Sequence, residues 1–306
     1  MRHRLPYWLA LPVLAAICGC ILIAVAHFRT KNDSTSSLLQ RLPSEDAVVL
    51  SIDFDALRRA HLLDLLGAST TPQDAEYRAF VDSTGFDYLR DLDSALVSFA
   101  STGTYMLLRG RFDWRSLAQY VRVQGGVCNN SFCRVKSSVH DRTISYFPLR
   151  PNILALADSV DAYAATNLQV RRSVPSLTPP SDPVWALIPA SALKDTAKLP
   201  SGTRSFARLL EGAQRIVFSG GPDGPRLRVQ LEVTCRTAEQ AAALTSQLRA
   251  TTTLLRQLID RERQAPNPRD LSGILTAGVF EQKGQRVSGA WPVERSFLES
   301  LAGGGF

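Results

Sequence analysis

Ser191 and Lys194, in Ser191-Ala192-Leu193-Lys194, stand one helical turn apart. At that spacing a lysine can take the proton of a nucleophilic serine, as in penicillin-binding proteins and serine β-lactamases. Those enzymes also need an S-x-N and a K-[ST]-G further along, and neither follows Ser191. Earlier in the chain, Asp55 and Arg58 hold the matching places in Asp55-Ala56-Leu57-Arg58. Aspartate and serine exchange as helix caps but not as nucleophiles, so Ser191 reads as a cap. Asp53 with Asp55, and Asp87 with Asp91 and Asp93, could be paired carboxylates or metal ligands. The first two fall at a strand-to-helix junction where capping accounts for them, and a calcium loop would need a glycine and a closing glutamate. Of the histidines, His61 and His140 lie beyond the N-terminal region, and His61 falls on the leucine-rich side of an expected helix. No nucleophile-elbow, dinucleotide or P-loop signature is present. Catalytic, cofactor and metal residues are therefore all expected to be absent.

Cys128 and Cys133, in VCNNSFC, enclose four residues. No second ligand pair exists to complete a zinc site. The remaining alternatives are a hairpin disulfide across the Asn129-Asn130-Ser131 turn, if the body is exported, and a reduced pair of turn cysteines. Cys235, at the end of an expected strand, reads as a small buried thiol.

The elements that must position these residues read as α+β, with the sheet mainly antiparallel. Ala47 to Ile52 is a β-rich run and Asp53 to Leu66 a helix. Strands follow at Ser94–Ser101 and Thr104–Arg111, then a helix at Asp113–Val123, a hairpin at Phe132–Val139 and Thr143–Leu149, a strand at Ile153–Ala157 and a helix at Ser159–Leu168. After the proline-rich stretch Val170 to Pro183 the order returns, with Val184–Ile188, Gln214–Ser219, Leu227–Thr234, a long helix over 238–264, a strand at Gln285–Trp291 and a closing helix at Glu294–Leu301. The spacing between matching landmarks is roughly 125–135 residues. The expected organisation is a membrane helix over 1–28, a linker over 29–43, a first α+β repeat over 44–169, a connector over 170–183 and a second repeat over 184–306, each with a mainly antiparallel sheet and helices on one face.

In the long helix, Ala241, Leu244, Leu248, Thr251, Leu255 and Leu258 follow a 3-4-3-4-3 spacing, a seam suited either to packing on the sheet or to meeting a partner. Leu255, Arg256, Leu258 and Arg261 mark the candidate partner surface, for self-association or for an envelope protein.

The chain has 306 residues, 45% hydrophobic and 21% charged, as folded proteins do. Net charge is +7, carried by 30 arginines and 5 lysines. The arginines are scattered among acids rather than gathered in a stripe with aromatics, so nucleic-acid binding is not expected. The run Leu5 to Phe28 holds no charge from Tyr7 to Ala26 and is long enough to cross a bilayer. Its length favours an uncleaved anchor in the cytoplasmic membrane with the body outside. The alternatives are cleavage after Ala24-Val25-Ala26 and lipidation at Cys20 in Ile17-Cys18-Gly19-Cys20.

With Leu42-Pro43-Ser44-Glu45-Asp46-Ala47 opening the body, the chain resembles bacterial proteins with one N-terminal membrane segment and a duplicated α+β extracytoplasmic body. That resemblance carries no activity to transfer. It implies a non-enzymatic binding or scaffolding module held at the membrane; the alternative is an extracytoplasmic hydrolase with a site formed between the halves.

Overall fold

Alternation decides the sheet. In β10 (Arg226–Thr234), Val229, Leu231 and Val233 alternate with Arg228, Gln230 and Glu232, a period of two that turns apolar residues to one face and polar ones to the other. The computed structural model describes residues 34–63, 75–172, 178–193, 210, 212–224, 226–263 and 265–302. Among them, strands β1 (Val48–Asp53), β2 (Leu92–Ala100), β3 (Gly103–Gly110), β4 (Val127–Asn129), β5 (Phe132–Lys136), β6 (Thr143–Arg150), β7 (Ile153–Ser159), β8 (Val184–Pro189), β9 (Arg215–Asp223), β10, β11 (Val279–Lys283) and β12 (Arg286–Val293) form one sheet. Its order is β11-β12-β10-β9-β8-β1-β2-β3-β7-β6-β5-β4, and each neighbouring pair is antiparallel.

Sequence leaves open whether the two halves share one sheet, and the β1–β8 seam joins them. There Val49 pairs with Leu187 and Ser51 with Trp185, joining everything into one continuous layer. Outward from the seam the order matches on both sides: β1-β2-β3-β7 one way and β8-β9-β10-β12 the other.

The helices are α1 (Thr35–Leu39), α2 (Phe54–Arg59), α3 (Ala75–Thr84), α4 (Tyr88–Asp91), α5 (Trp114–Val123), α6 (Ala238–Arg261), α7 (Leu271–Thr276) and α8 (Arg295–Ala302), with 3-10 turns at Ala164–Gln169 and Ala190–Leu193. One row of paired residues runs Leu154, Leu108, Ala95, Ile52, Val184, Gly220, Val229, Trp291. Leu154 packs with Leu117 and Val121 of α5, and Trp291 with Ala241, Leu244 and Leu248 of α6, so both helices cover the same face. Helices are not confined to that face as expected. Leu38 and Leu39 of α1, Leu42, and Ala164, Ala165 and Leu168 of the first 3-10 turn pack on the opposite face, over β1, β2, β3, β6 and β7.

Capping sets the helix starts. Asp53 Oδ1 accepts from Ala56 N at 2.8 Å, Asp113 Oδ1 from Arg115 N at 3.0 Å, and Thr237 Oγ1 from Gln240 N at 3.2 Å. The expected helix to Leu66 is interrupted after Arg59, because Ala60 caps it and His61 takes a left-handed φ of 54°; residues 64–66 lie outside the described residues. His61 is exposed rather than packed. The expected helix over 159–168 is a strand end followed by a 3-10 turn.

The expected membrane-crossing helix is also corrected. No helix of the described residues is long and apolar enough to cross a bilayer. The longest, α6, carries Glu239, Arg249, Arg256, Asp260 and Arg261. The run 5–28 lies outside the described residues. The bilayer partnership and the single-pass location that rested on such a helix are corrected with it.

Candidate functional site

The opposite face changes character across the seam. One row of paired residues runs Ser145, Ala157, Tyr105, Ser98, Val49, Leu187, Val217, Glu232, Ser288, Glu281. The neighbouring row runs Phe147, Ala155, Leu107, Leu96, Ser51, Trp185, Ser219, Gln230, Ala290, Val279. On the α1 side these residues are buried: Leu107, Tyr105, Phe147 and Ala155 sit in the core beneath α1 and the 3-10 turn. On the β9–β12 side, Glu232, Ser288, Glu281 and Val279 are exposed.

Over that second region lies a cleft of about 520 Å³. Its floor comes from β8 to β12, and its side wall from Thr178, Pro180, Ser181 and Asp182 of the segment leading into β8. That segment is held close to the sheet. Ser219 Oγ donates to Asp182 Oδ2 at 2.5 Å, and Gly221 leaves room for Pro183, whose Cδ would lie 2.8 Å from a Cβ placed there. Leu187, Val217, Ala290 and the edge of Trp185 make the cleft's apolar part.

Among the described residues, three carboxylates line it (Asp182, Glu232 and Glu281) against the single guanidinium of Arg215. Glu232 and Glu281 stand on strands separated by β12, about 10 Å apart at their Cα atoms from strand spacing alone, with Ser288 between them. Arg215 is diagonal to Glu232 across the β9–β10 pair, and the two form no ion pair. The cleft is thus acidic in a chain of net charge +7.

The residues singled out by sequence fall elsewhere. Asp53 and Asp87 are caps, Asp87 accepting from Leu89 N at 3.0 Å. Asp55 pairs with Arg58 and Arg59. Asp91 is buried and held by Arg90 at 2.7 Å and Arg111 at 3.1 Å. The Arg90 hydrogen bond, helped by the Asp87 N–H and Arg111, lowers the Asp91 carboxyl to about 2 against the effect of burial. Among the described residues no group of His, Cys, Asp and Glu could hold a metal ion. Ser191 Oγ donates to Asp46 Oδ1 at 2.9 Å, and Lys194 lies outside the described residues. Cys128 and Cys133 are directly paired on β4 and β5 and joined by a disulfide. Cys235 is a buried free thiol.

In α6 the buried residues are Ala241, Leu244, Thr245, Leu248 and Thr252, so the seam drifts round the helix after Leu248. Leu255 is half-buried, while Leu258 and Arg261 are exposed. Arg256 is tied down, its Nε donating to Thr276 O at 2.7 Å.

Sequence reasoning missed Asp182, Arg215, Glu232 and Glu281. The signal was in the contrast between two strands. β3 reads GTYMLLRG, nearly continuous in its apolar middle, whereas β10 reads RLRVQLEVT with strict alternation. The first pattern belongs to a strand covered on both faces and the second to one covered on one face only.

No family model and no curated protein matches the chain. Among solved structures, crystal form I of TP0453 is similar at 10% identity and a TM-score of 0.47, over 83% of this chain and 92% of that one. Crystal form IV of TP0453 is similar at 12% identity and a TM-score of 0.46, over 86% and 95%. This is a distant likeness of α+β fold and says nothing of activity. The expected resemblance to single-pass anchored bacterial proteins is corrected: no helix of the described residues is long and apolar enough to cross a membrane. The membrane-held scaffold inferred from that resemblance is corrected with it.

Proposed function

We propose that the chain binds a small amine-bearing ligand in the cleft over β8–β12. The observation that carries this reading is the switch along the paired rows. Positions filled by apolar core on the α1 side become Glu232, Glu281 and Gln230 around an open cavity on the other. A cation with a short hydrocarbon stem meets both parts of the lining: its charge faces Glu232, Glu281 and Asp182, and its methylenes lie on Leu187, Val217 and Ala290. Carboxylates held in a concave wall attract a cation more strongly than the same groups on a convex surface, because low-dielectric walls focus their field.

Equilibrium titration with spermidine tests this. Binding is expected for the wild type, weakened about tenfold in Glu232→Gln and in Glu281→Gln, and reduced by added salt. Absence of spermidine binding, or equal affinity for citrate, would refute it.

A second reading, hydrolysis of a ligand in the same cleft, is favoured by one feature: two carboxylates flank Ser288 across three adjacent strands. Inverting glycosidases place their two carboxyl groups about 6.5–9.5 Å apart. Release of nitrophenol from nitrophenyl glycosides, abolished in Glu232→Gln, would select this reading over simple binding.

A further inference from the structure

At the other end of the sheet, α5 and the β4–β5 hairpin enclose a second cavity of about 300 Å³. Arg115, Ala118 and Arg122 recur along α5 at helical spacing, so both guanidinium groups rise from one side of the helix and line the cavity. Neither forms an ion pair among the described residues. The apolar wall is Trp114, Ala118, Pro148 and the Cys128–Cys133 disulfide. The indole N–H of Trp114 is already committed, donating to Pro151 O at 3.2 Å, which fixes the ring. The hairpin is closed by Asn130 and Ser131, both with positive φ, and their side chains edge the opening.

Tyr146 also lines this cavity. The residue is 7% exposed, and its hydroxyl is buried with no hydrogen-bond partner among the described residues. Buried hydroxyl groups in folded proteins are almost always paired, so an orphan facing a cavity marks a place where an acceptor belongs. Burial pushes the phenol up to about 12, against the opposing pull of Arg122. At neutral pH the group therefore keeps its proton and has a hydrogen to donate.

We infer that this cavity binds a small organic carboxylate. Its oxygens meet Arg122, Arg115 and the Tyr146 O–H, and its apolar body lies against Trp114, Pro148 and the disulfide. Two guanidinium groups and one neutral O–H are all donors, which suits an acceptor-only carboxylate and not a cation. Trp114 and the disulfide demand an apolar body, which separates an aromatic acid from a bare inorganic anion. This site is independent of the acidic cleft, at the opposite end of the sheet and with the opposite charge preference.

The test is calorimetric titration of the full chain with benzoate, with inorganic phosphate as competitor. Benzoate is expected to bind the wild type and to bind about tenfold more weakly to Arg122→Gln and to Tyr146→Phe. Tyr146→Phe keeps the ring and removes one oxygen, so the fold persists. Glu232→Gln, in the distant cleft, should leave benzoate binding unchanged. The proposal fails if millimolar benzoate gives no heat with the wild type, if both variants bind it as tightly as the wild type, or if phosphate displaces it at equal concentration.

Discussion

Ser98 and Ser219 hold matching places on the two sides of the seam. Ser98 lies between Val49 of β1 and Tyr105 of β3, and Ser219 between Trp185 of β8 and Gln230 of β10. Each hydroxyl ties down the segment that leads into its inner strand, Ser98 by donating to Pro43 O and Ser219 by donating to Asp182 Oδ2. The same device therefore holds a plug on one side and a cleft wall on the other. On the Ser98 side the tethered segment continues from α1, whose leucines fill the face. On the Ser219 side it presents a carboxylate to open space.

Ser98→Ala should destabilise the protein by about 1–2 kcal/mol, because Pro43 O loses its donor in a site where Ser98 itself is fully buried. Urea unfolding measures it. Ser219→Ala should cost less, since half-buried Asp182 can turn to water, but it should loosen the cleft wall and weaken spermidine binding.

Tyr146→Phe should raise stability in the absence of ligand by about 1 kcal/mol. It removes a buried hydroxyl that has no partner, so only its desolvation penalty is lost. Thermal melting checks this, and a lowered melting temperature would mean that the hydroxyl is bonded in solution.

Asp91→Asn should cost about 2 kcal/mol at pH 7, since Arg90 and Arg111 would lose a buried ionised partner. Asp91 titrates at about 2, below the usual 3.8. Its contribution is complete above pH 4 and is lost as pH falls through 2. The stability gap between wild type and Asp91→Asn should therefore close between pH 4 and pH 2 in chemical denaturation.

Reduction of Cys128–Cys133 should lower stability by about 2 kcal/mol, the modest effect of freeing a short loop. Comparison of guanidinium unfolding with and without a phosphine reductant measures it. Benzoate binding should weaken in parallel, because the disulfide forms part of that cavity's wall.

Local chemistry was legible in the chain. The cap at Asp53, the strand over Val48–Ile52 and the helix ending at Val123 all follow from residue type and period, which act over a few positions. What escaped depends on partners far away in sequence. Whether β1 meets β8 is not written in the periodicity of either strand, so sequence alone leaves one sheet or two undecided. Glu232 and Glu281 lie 49 positions apart in the chain and become neighbours only through β12. The buried hydroxyl of Tyr146 stands out only in the fold, where no described residue accepts from it.

The seam has a kinetic consequence. Val49 and Leu187 are 138 positions apart in the chain, whereas the β3–β7 and β10–β12 pairs join residues no more than 66 apart. Closing the longest loop comes at the greatest entropic cost, so the two flanks can assemble as separate cooperative units before their inner strands meet. Zippering of β1 against β8 is then the late event in folding, and the same line is where a pulling force or mild denaturant would first part the molecule.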